Sequence, residues 1–121
     1  PNTDKDVIKA TKDKGMLSFP GVLTPSECFS AINSGADALK IFPAFKLGID
    51  GFKAMKAVLP SDVKTYGVGG INENHFHEWL LAGLTGFGIG SNLFHPSMND
   101  DDIKTKAKKI VIEYDSWFAQ R

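Results

Sequence analysis

Gly35-Ala36-Asp37-Ala38-Leu39-Lys40-Ile41-Phe42-Pro43-Ala44 opens at a glycine, runs through apolar residues around one lysine, and stops at a proline. Glycine commonly ends a helix, and proline cannot extend a β-ladder, so the segment reads as a short buried strand after a helix. Side chains alternate faces along a strand. Ala38, Lys40 and Phe42 therefore share one face, and Leu39 and Ile41 share the other. An ammonium between apolar neighbours is costly to desolvate, and burial favours the neutral amine. A neutral amine attacks carbonyls, the Schiff-base route of covalent catalysis. The plainer alternative is a lysine at a strand end whose stem is covered and whose head reaches water.

Upstream, Asp4 to Lys14 reads as a helix capped by Thr3 or Asp4, and Gly15 ends it. Met16-Leu17-Ser18-Phe19-Pro20-Gly21 reads as a strand. Thr24-Pro25-Ser26-Glu27 combines a capping threonine, proline at the first helical position and glutamate at the third, so a second helix runs to about Ser34. Downstream, Phe45 to Asp50 reads as a loop and Gly51 to Leu59 as an amphipathic helix. A strand over Val63–Val68 ends in Gly69-Gly70, and a helix runs from Asn72 to Ala82. Thr85 to Ile89 reads as a glycine-rich strand followed by Gly90-Ser91, and Asp100-Asp101-Asp102 starts a last helix.

Strand and helix thus alternate four times after a leading helix, which predicts parallel strands joined by right-handed crossovers. The strands show little polar alternation, so both sheet faces are expected to be covered. The fold class is α/β, either an open doubly wound sheet or part of a (β/α)₈ barrel. A whole barrel needs at least about 200 residues. This chain of 121 residues, 1–121 as a single domain, holds about half of one.

Composition narrows the function classes. Net charge is zero, which offers nothing to nucleic acid or an anionic membrane surface. No apolar run reaches the ~18 residues of a membrane span. The opening Pro1-Asn2-Thr3-Asp4 has neither a basic region nor an apolar core, so no signal peptide is expected. The single cysteine, Cys28, excludes an internal disulfide and suits a reducing cytoplasm. The chain starts without methionine, as though cut from something larger.

Ligands of α/β folds bind at the carboxyl ends of the strands. Two such ends, Gly67-Val68-Gly69-Gly70-Ile71 and Gly88-Ile89-Gly90-Ser91, are glycine turns leading into helix starts. Unobstructed backbone N–H groups there suit a phosphate. Singly, each is as well explained by tight turns and close packing; as a pair on adjacent strands they favour phosphate. The glycines of Gly86-Phe87-Gly88-Ile89-Gly90 lie within a strand and do not make a dinucleotide fingerprint. No histidine–carboxylate set has metal spacing, and His95 has no evident partner. Cys28 reads as a small buried hydrophobe, and Lys104, Lys106, Lys108 and Lys109 as the solvated face of the last helix.

Phe19-Pro20-Gly21-Val22-Leu23-Thr24-Pro25-Ser26-Glu27, Leu39-Lys40-Ile41-Phe42-Pro43-Ala44, Gly69-Gly70-Ile71 and Gly90-Ser91 resemble the KDPG/KHG aldolase family in order and spacing. With Pro1-Asn2-Thr3-Asp4 and Gly35 to Lys40, they look most like its galactonate branch. The resemblance covers nearly the whole chain, and Lys-x-Phe-Pro-Ala is its specific element. It implies a class I aldolase on a (β/α)₈ barrel, here its C-terminal half, strands five to eight, and a homotrimer when full length. Lys40 falls on the Schiff-base lysine, Gly69, Gly70, Gly90 and Ser91 on the phosphate turns, and Pro20, Phe42 and Val68 on the pocket wall. The implied substrate is a phosphorylated 2-keto-3-deoxy sugar acid, split without cofactor or metal into pyruvate and glyceraldehyde 3-phosphate. Gluconate-type relatives carry threonine at the Val68 position. The family's catalytic glutamate and a substrate-side arginine lie in the first half of the barrel; Glu27 and Glu73 stand at helix starts and do not replace that glutamate. Alternatives are a gluconate-type aldolase, a phosphate-binding barrel epimerase with Lys40 merely buried, and a non-catalytic sugar-phosphate-binding half-barrel.

Overall fold

The computed structural model describes residues 2–119; Pro1, the first residue of the opening segment quoted above, lies outside them. Helix α1 (Lys5–Asp13) starts where the Asp4 carboxylate accepts the N–H groups of Asp6 and Val7 at 3.0 and 3.1 Å. Strand β1 (Gly21–Val22) follows, then α2 (Pro25–Asn33). The α2 cap is reciprocal: Glu27 N–H donates to Thr24 Oγ1, and Thr24 N–H donates to the Glu27 carboxylate. Then come β2 (Leu39–Ile41), α3 (Ala44–Lys56) and β3 (Thr65–Val68). A 3₁₀ turn (Glu73–His75) leads into α4 (Phe76–Leu81), followed by β4 (Gly86–Gly88) and α5 (Asp100–Ala119).

The four strands form one parallel sheet in the order β1-β2-β3-β4, as the alternation predicts. Its register places Gly21, Lys40, Tyr66 and Gly86 in one row, and Val22, Ile41, Gly67 and Phe87 in the next. The second row faces the helices. Val22, Leu39 and Ile41 are buried there with Phe52 and Met55 of α3 and Phe76 and Trp79 of α4. Phe76 stacks on Phe87 at 4.1 Å, and Phe52 meets Trp79 at 5.7 Å. Burying each such side chain contributes about 1.5–3 kcal/mol.

The structure corrects three expectations. Among the described residues only one sheet face is covered: burial alternates along β2 and β3, and Lys40, Tyr66 and Val68 lie half-buried on the other face. Short parallel strands in half a barrel carry helices on one side only. The strand expected over Met16–Gly21 is reduced to Gly21–Val22, because Pro20 has no N–H and the Ser18 N–H is taken by the Asp37 carboxylate at 2.7 Å. The segment Phe45–Asp50 is helical, with α3 starting directly after Pro43 and breaking at Gly48, whose φ of 69° interrupts it. Among the described residues no helix is long and apolar enough to cross a membrane.

Thr65 is fully buried on the helix side of β3, and its hydroxyl has no hydrogen-bond partner among the described residues. Valine has the same branched shape without the orphaned group. Thr65→Val is expected to raise stability by about 1 kcal/mol, read as a higher Tm in thermal unfolding. A lower Tm would show that the hydroxyl is satisfied.

Candidate active site

Lys40 sits in the middle of β2, on the face that no helix covers among the described residues. Its N–H donates to the Pro20 carbonyl at 2.9 Å, which pins β2 to the end of the preceding segment. Its ammonium lies 5.1 Å from the centre of the Phe42 ring, two residues on along the same face. Across the sheet its row partner on β3 is Tyr66, whose ring stacks on Phe19 at 5.2 Å; its row partner on β1 is Gly21, which offers no side chain. The lysine predicted to be buried is half-buried, walled by aromatic rings and open on its sheet face. Among the described residues it has no carboxylate partner.

Of the expected pocket-wall residues, Phe42 and Val68 share this open face, Phe42 being 42% exposed. Pro20 is buried, and its carbonyl accepts the Lys40 N–H. The exposed ring at that strand end belongs to Phe19. Glycines on β4 make room for β3: a Cβ on Gly86 would lie 2.9 Å from Tyr66 Cε1, and one on Gly88 2.7 Å from Val68 Cγ2. That close packing explains the glycine-rich strand without any nucleotide.

The two glycine turns stand side by side, because Val68 and Gly88 are paired at the carboxyl ends of β3 and β4. Gly69 and Gly70 have φ of 92° and 72°, the left-handed region that side chains disfavour. A Cβ on Gly70 would stand 2.6 Å from Phe45 Cβ, and the Phe45 N–H donates to the Gly69 carbonyl at 3.2 Å. The start of α3 is thus packed directly on the turn. Gly90 accepts the N–H groups of Leu93 and Phe94 at 2.9 and 3.1 Å, which rolls the second turn up. Among the described residues the N–H groups of Gly70 and Ser91 have no protein acceptor, and both residues are exposed. Together the turns offer unpaired backbone donors at the edge of the Lys40 face, an arrangement suited to an anion.

The carboxylates nearby are engaged elsewhere. Glu27 accepts the N–H groups of Leu23 at 2.7 Å and Thr24 at 2.9 Å, and these bonds hold its carboxyl below the usual range. Glu73 pairs with Lys109 at 2.8 Å and accepts from Asn92 Nδ2 at 2.8 Å. The bond from Lys109, followed by its own backbone and Asn92, brings the Glu73 carboxyl down to about 2, while Glu73 raises Lys109. Glu73 is therefore ionised at any physiological pH. Burial pushes the Cys28 thiol up to about 11, which leaves it inert against Met55, as expected of a small hydrophobe. His95, which had no partner in the sequence reading, bonds Ser97 at 2.8 Å. His77 bonds Ser116 at 3.0 Å. Among the described residues no three His, Cys, Asp or Glu side chains converge on a metal position. Sequence reasoning missed Phe19, Tyr66 and the Asn92–Glu73–Lys109 contacts, all of which join segments far apart in the chain.

A model of the KDPG and KHG aldolase family matches residues 1–109. The chain is 40% identical over 96% of its length to the probable 2-dehydro-3-deoxy-6-phosphogalactonate aldolase of Rhizobium meliloti (strain 1021), of which it covers 55%. It is 39% identical over 94% of its length to the 2-dehydro-3-deoxy-6-phosphogalactonate aldolase of Escherichia coli (strain K12), covering 56% of it. It thus spans about half the length of the curated relatives it matches. Among solved structures, one described as native KDPGal superposes with a TM-score of 0.95 at 37% identity, over 98% of this chain and 58% of that one. The four parallel strands and their helices match half of that barrel-type aldolase fold. The chain belongs to the KDPG and KHG aldolase family.

Proposed function

We propose that this chain is the C-terminal half of a class I aldolase that splits 2-dehydro-3-deoxy-6-phosphogalactonate into pyruvate and glyceraldehyde 3-phosphate. One observation carries the reading: Lys40 on the open sheet face, followed by Phe42-Pro43-Ala44, stands beside two turns with unpaired backbone donors. In this scheme the Lys40 amine adds to the substrate's keto carbon, and water leaves to give an iminium. A base takes the proton from the hydroxyl next to the scissile bond. The carbon–carbon bond breaks toward the iminium, glyceraldehyde 3-phosphate departs, and pyruvate remains as an enamine. Protonation and hydrolysis of the enamine release pyruvate and restore the amine.

Each part of the site has a role in this scheme. Gly69, Gly70, Gly90 and Ser91 hold the phosphate, and Phe42 and Val68, with Phe19 and Tyr66, wall the keto-acid end. Pro20 fixes Lys40 through its carbonyl. The resemblance puts the base on a glutamate in the first half of the barrel; Glu27 and Glu73 are engaged in a helix cap and an ion pair. No cofactor or metal is required. The full-length protein is proposed to act in the cytoplasm as a homotrimer.

Preference for the galactonate-derived epimer follows from Val68. It stands on the open face immediately before the Gly69 turn, at the position where the resemblance puts threonine in gluconate-type enzymes. Valine neither donates nor accepts a hydrogen bond, so a contact that could read the epimeric hydroxyl is lost. The expected outcome is a higher kcat/KM for 2-dehydro-3-deoxy-6-phosphogalactonate than for its gluconate epimer. A clear preference for the gluconate compound would assign the chain to the gluconate type instead.

A further inference from the structure

We infer that Glu73 is a positioning residue for the substrate's phosphate: by bridging Asn92 and Lys109 it holds the Gly69-Gly70 turn and the Gly90-Ser91 turn at a fixed separation. The inference rests on the proposal that those turns bind phosphate. The β3–β4 ladder stops at Val68 and Gly88, so the turns themselves extend past the last strand pairing. Among the described residues, the bond from Asn92 Nδ2 to Glu73 Oε2 at 2.8 Å is the hydrogen bond that crosses between the two loops. Glu73 lies three residues beyond Gly70, and Asn92 directly follows Ser91.

Helix α5 anchors both ends of this bridge. Lys109 Nζ pairs with Glu73 Oε1 at 2.8 Å, and Lys106 Nζ donates to the Asn92 carbonyl at 2.9 Å. These lysines are three apart, hence on one face of a 20-residue helix. Each carboxylate oxygen of Glu73 thus has its own partner, and each loop has its own lysine on a common rigid bar. The Glu73 side chain is only 13% exposed, whereas Lys109 is 54% exposed, so the carboxylate is the central element of the bridge. Lys109 also offsets the negative charge of the Glu73 carboxylate. Two sets of backbone donors grip one anion only if their spacing matches it, and small misplacements in such sites are costly.

The test uses the intact protein that carries this sequence. Its readouts are the Kd for inorganic phosphate, the KM for the phosphorylated sugar acid, and, as a reference, the KM for pyruvate in proton exchange. Glu73→Ala is expected to raise the phosphate Kd and the sugar-acid KM about tenfold relative to the pyruvate KM. Glu73→Gln keeps an acceptor for Asn92 and is expected to recover most of that loss. Asn92→Ala should match Glu73→Ala, and the double variant should add little to either, as residues acting through one contact do. A lowered Tm with an unchanged ratio of sugar-acid KM to pyruvate KM in Glu73→Ala and Asn92→Ala would make the bridge merely structural and overturn the inference. If Glu73→Ala fails to fold, Asn92→Ala carries the expected loss and Glu73→Gln the expected retention of phosphate binding. Gly70→Ala separates the two levels. If it weakens phosphate while the Glu73 and Asn92 variants do not, this inference alone falls. If it leaves phosphate binding unchanged, the phosphate site and the inference fall together.

Discussion

Replacing Lys40 with arginine is expected to reduce carbon–carbon cleavage by at least about 10³-fold and to abolish covalent trapping by pyruvate and borohydride. A guanidinium stays protonated at any accessible pH and carries no lone pair for a carbonyl, so arginine keeps the charge but loses the nucleophile. The substitution should be tolerated structurally. Lys40 is half-buried and points to the open face, and its fixed contact is a backbone bond to Pro20 that any residue but proline can make. Arginine can also sit over the Phe42 ring as the lysine does. Far-UV circular dichroism and Tm should therefore stay close to those of the parent, which separates lost chemistry from lost fold. In the parent protein, peptide mapping after borohydride should find the pyruvate-derived mass on Lys40. Mass on another lysine, or normal turnover of the arginine variant, would remove Lys40 from the reaction.

The fold was legible because its signals are local. Thr24-Pro25-Ser26-Glu27 makes the cap it announces, and Gly35 closes the helix before the lysine strand with φ of 93°. The lysine itself stood out as one charge inside an apolar run. What could not be read locally depends on partners distant in the chain. Phe45–Asp50 looked like a loop because Gly48 does interrupt the helix; that the helix resumes on both sides follows from its packing on the Gly69 turn. The β1 boundary was misplaced because Asp37, 19 residues away, takes the Ser18 N–H. Lys40 was expected to be enclosed because Leu39 and Ile41 are apolar, but these face the helices, and the lysine's own face is bare. Glu73 read as a helix-start acid and does precede α4, yet its carboxylate serves two groups 19 and 36 residues further on. Periodicity specifies which face a residue occupies; it does not say what stands opposite that face.

The second large effect concerns residues 1–121 expressed on their own, which are expected to associate rather than persist as a monomer, and to be poor catalysts. Among the described residues the outer strands β1 and β4 each have one strand neighbour, so each presents an edge that no strand pairs, the Gly21 carbonyl of β1 accepting only the Thr3 hydroxyl at 3.0 Å. The open face adds exposed rings, with Phe19 at 43% and Phe42 at 42%, and beside it Met16 and Leu17 stand at 54% and 71%. A groove of about 410 Å³ runs along the β4 edge against α5, lined by Gly86, Phe87, Ile89, Ile110 and Tyr114. Monomeric domains rarely expose contiguous apolar patches above a few hundred Å². Both the edges and the face would be satisfied by additional strands, from further polypeptide or from another copy. Sedimentation at micromolar concentration should therefore give a mass above that of the 13.2 kDa chain. Catalysis fails for a separate reason. Lys40 can still form an imine, but among the described residues no free carboxylate faces it, and a positioned acid–base group contributes about 10²–10⁴-fold. Imine trapping at Lys40 should thus survive in the fragment while pyruvate release falls by that factor. A stable monomer with the turnover of the longer relatives would mean that this sheet needs no covering and that one of the committed glutamates, Glu27 or Glu73, can leave its partners to act on the substrate.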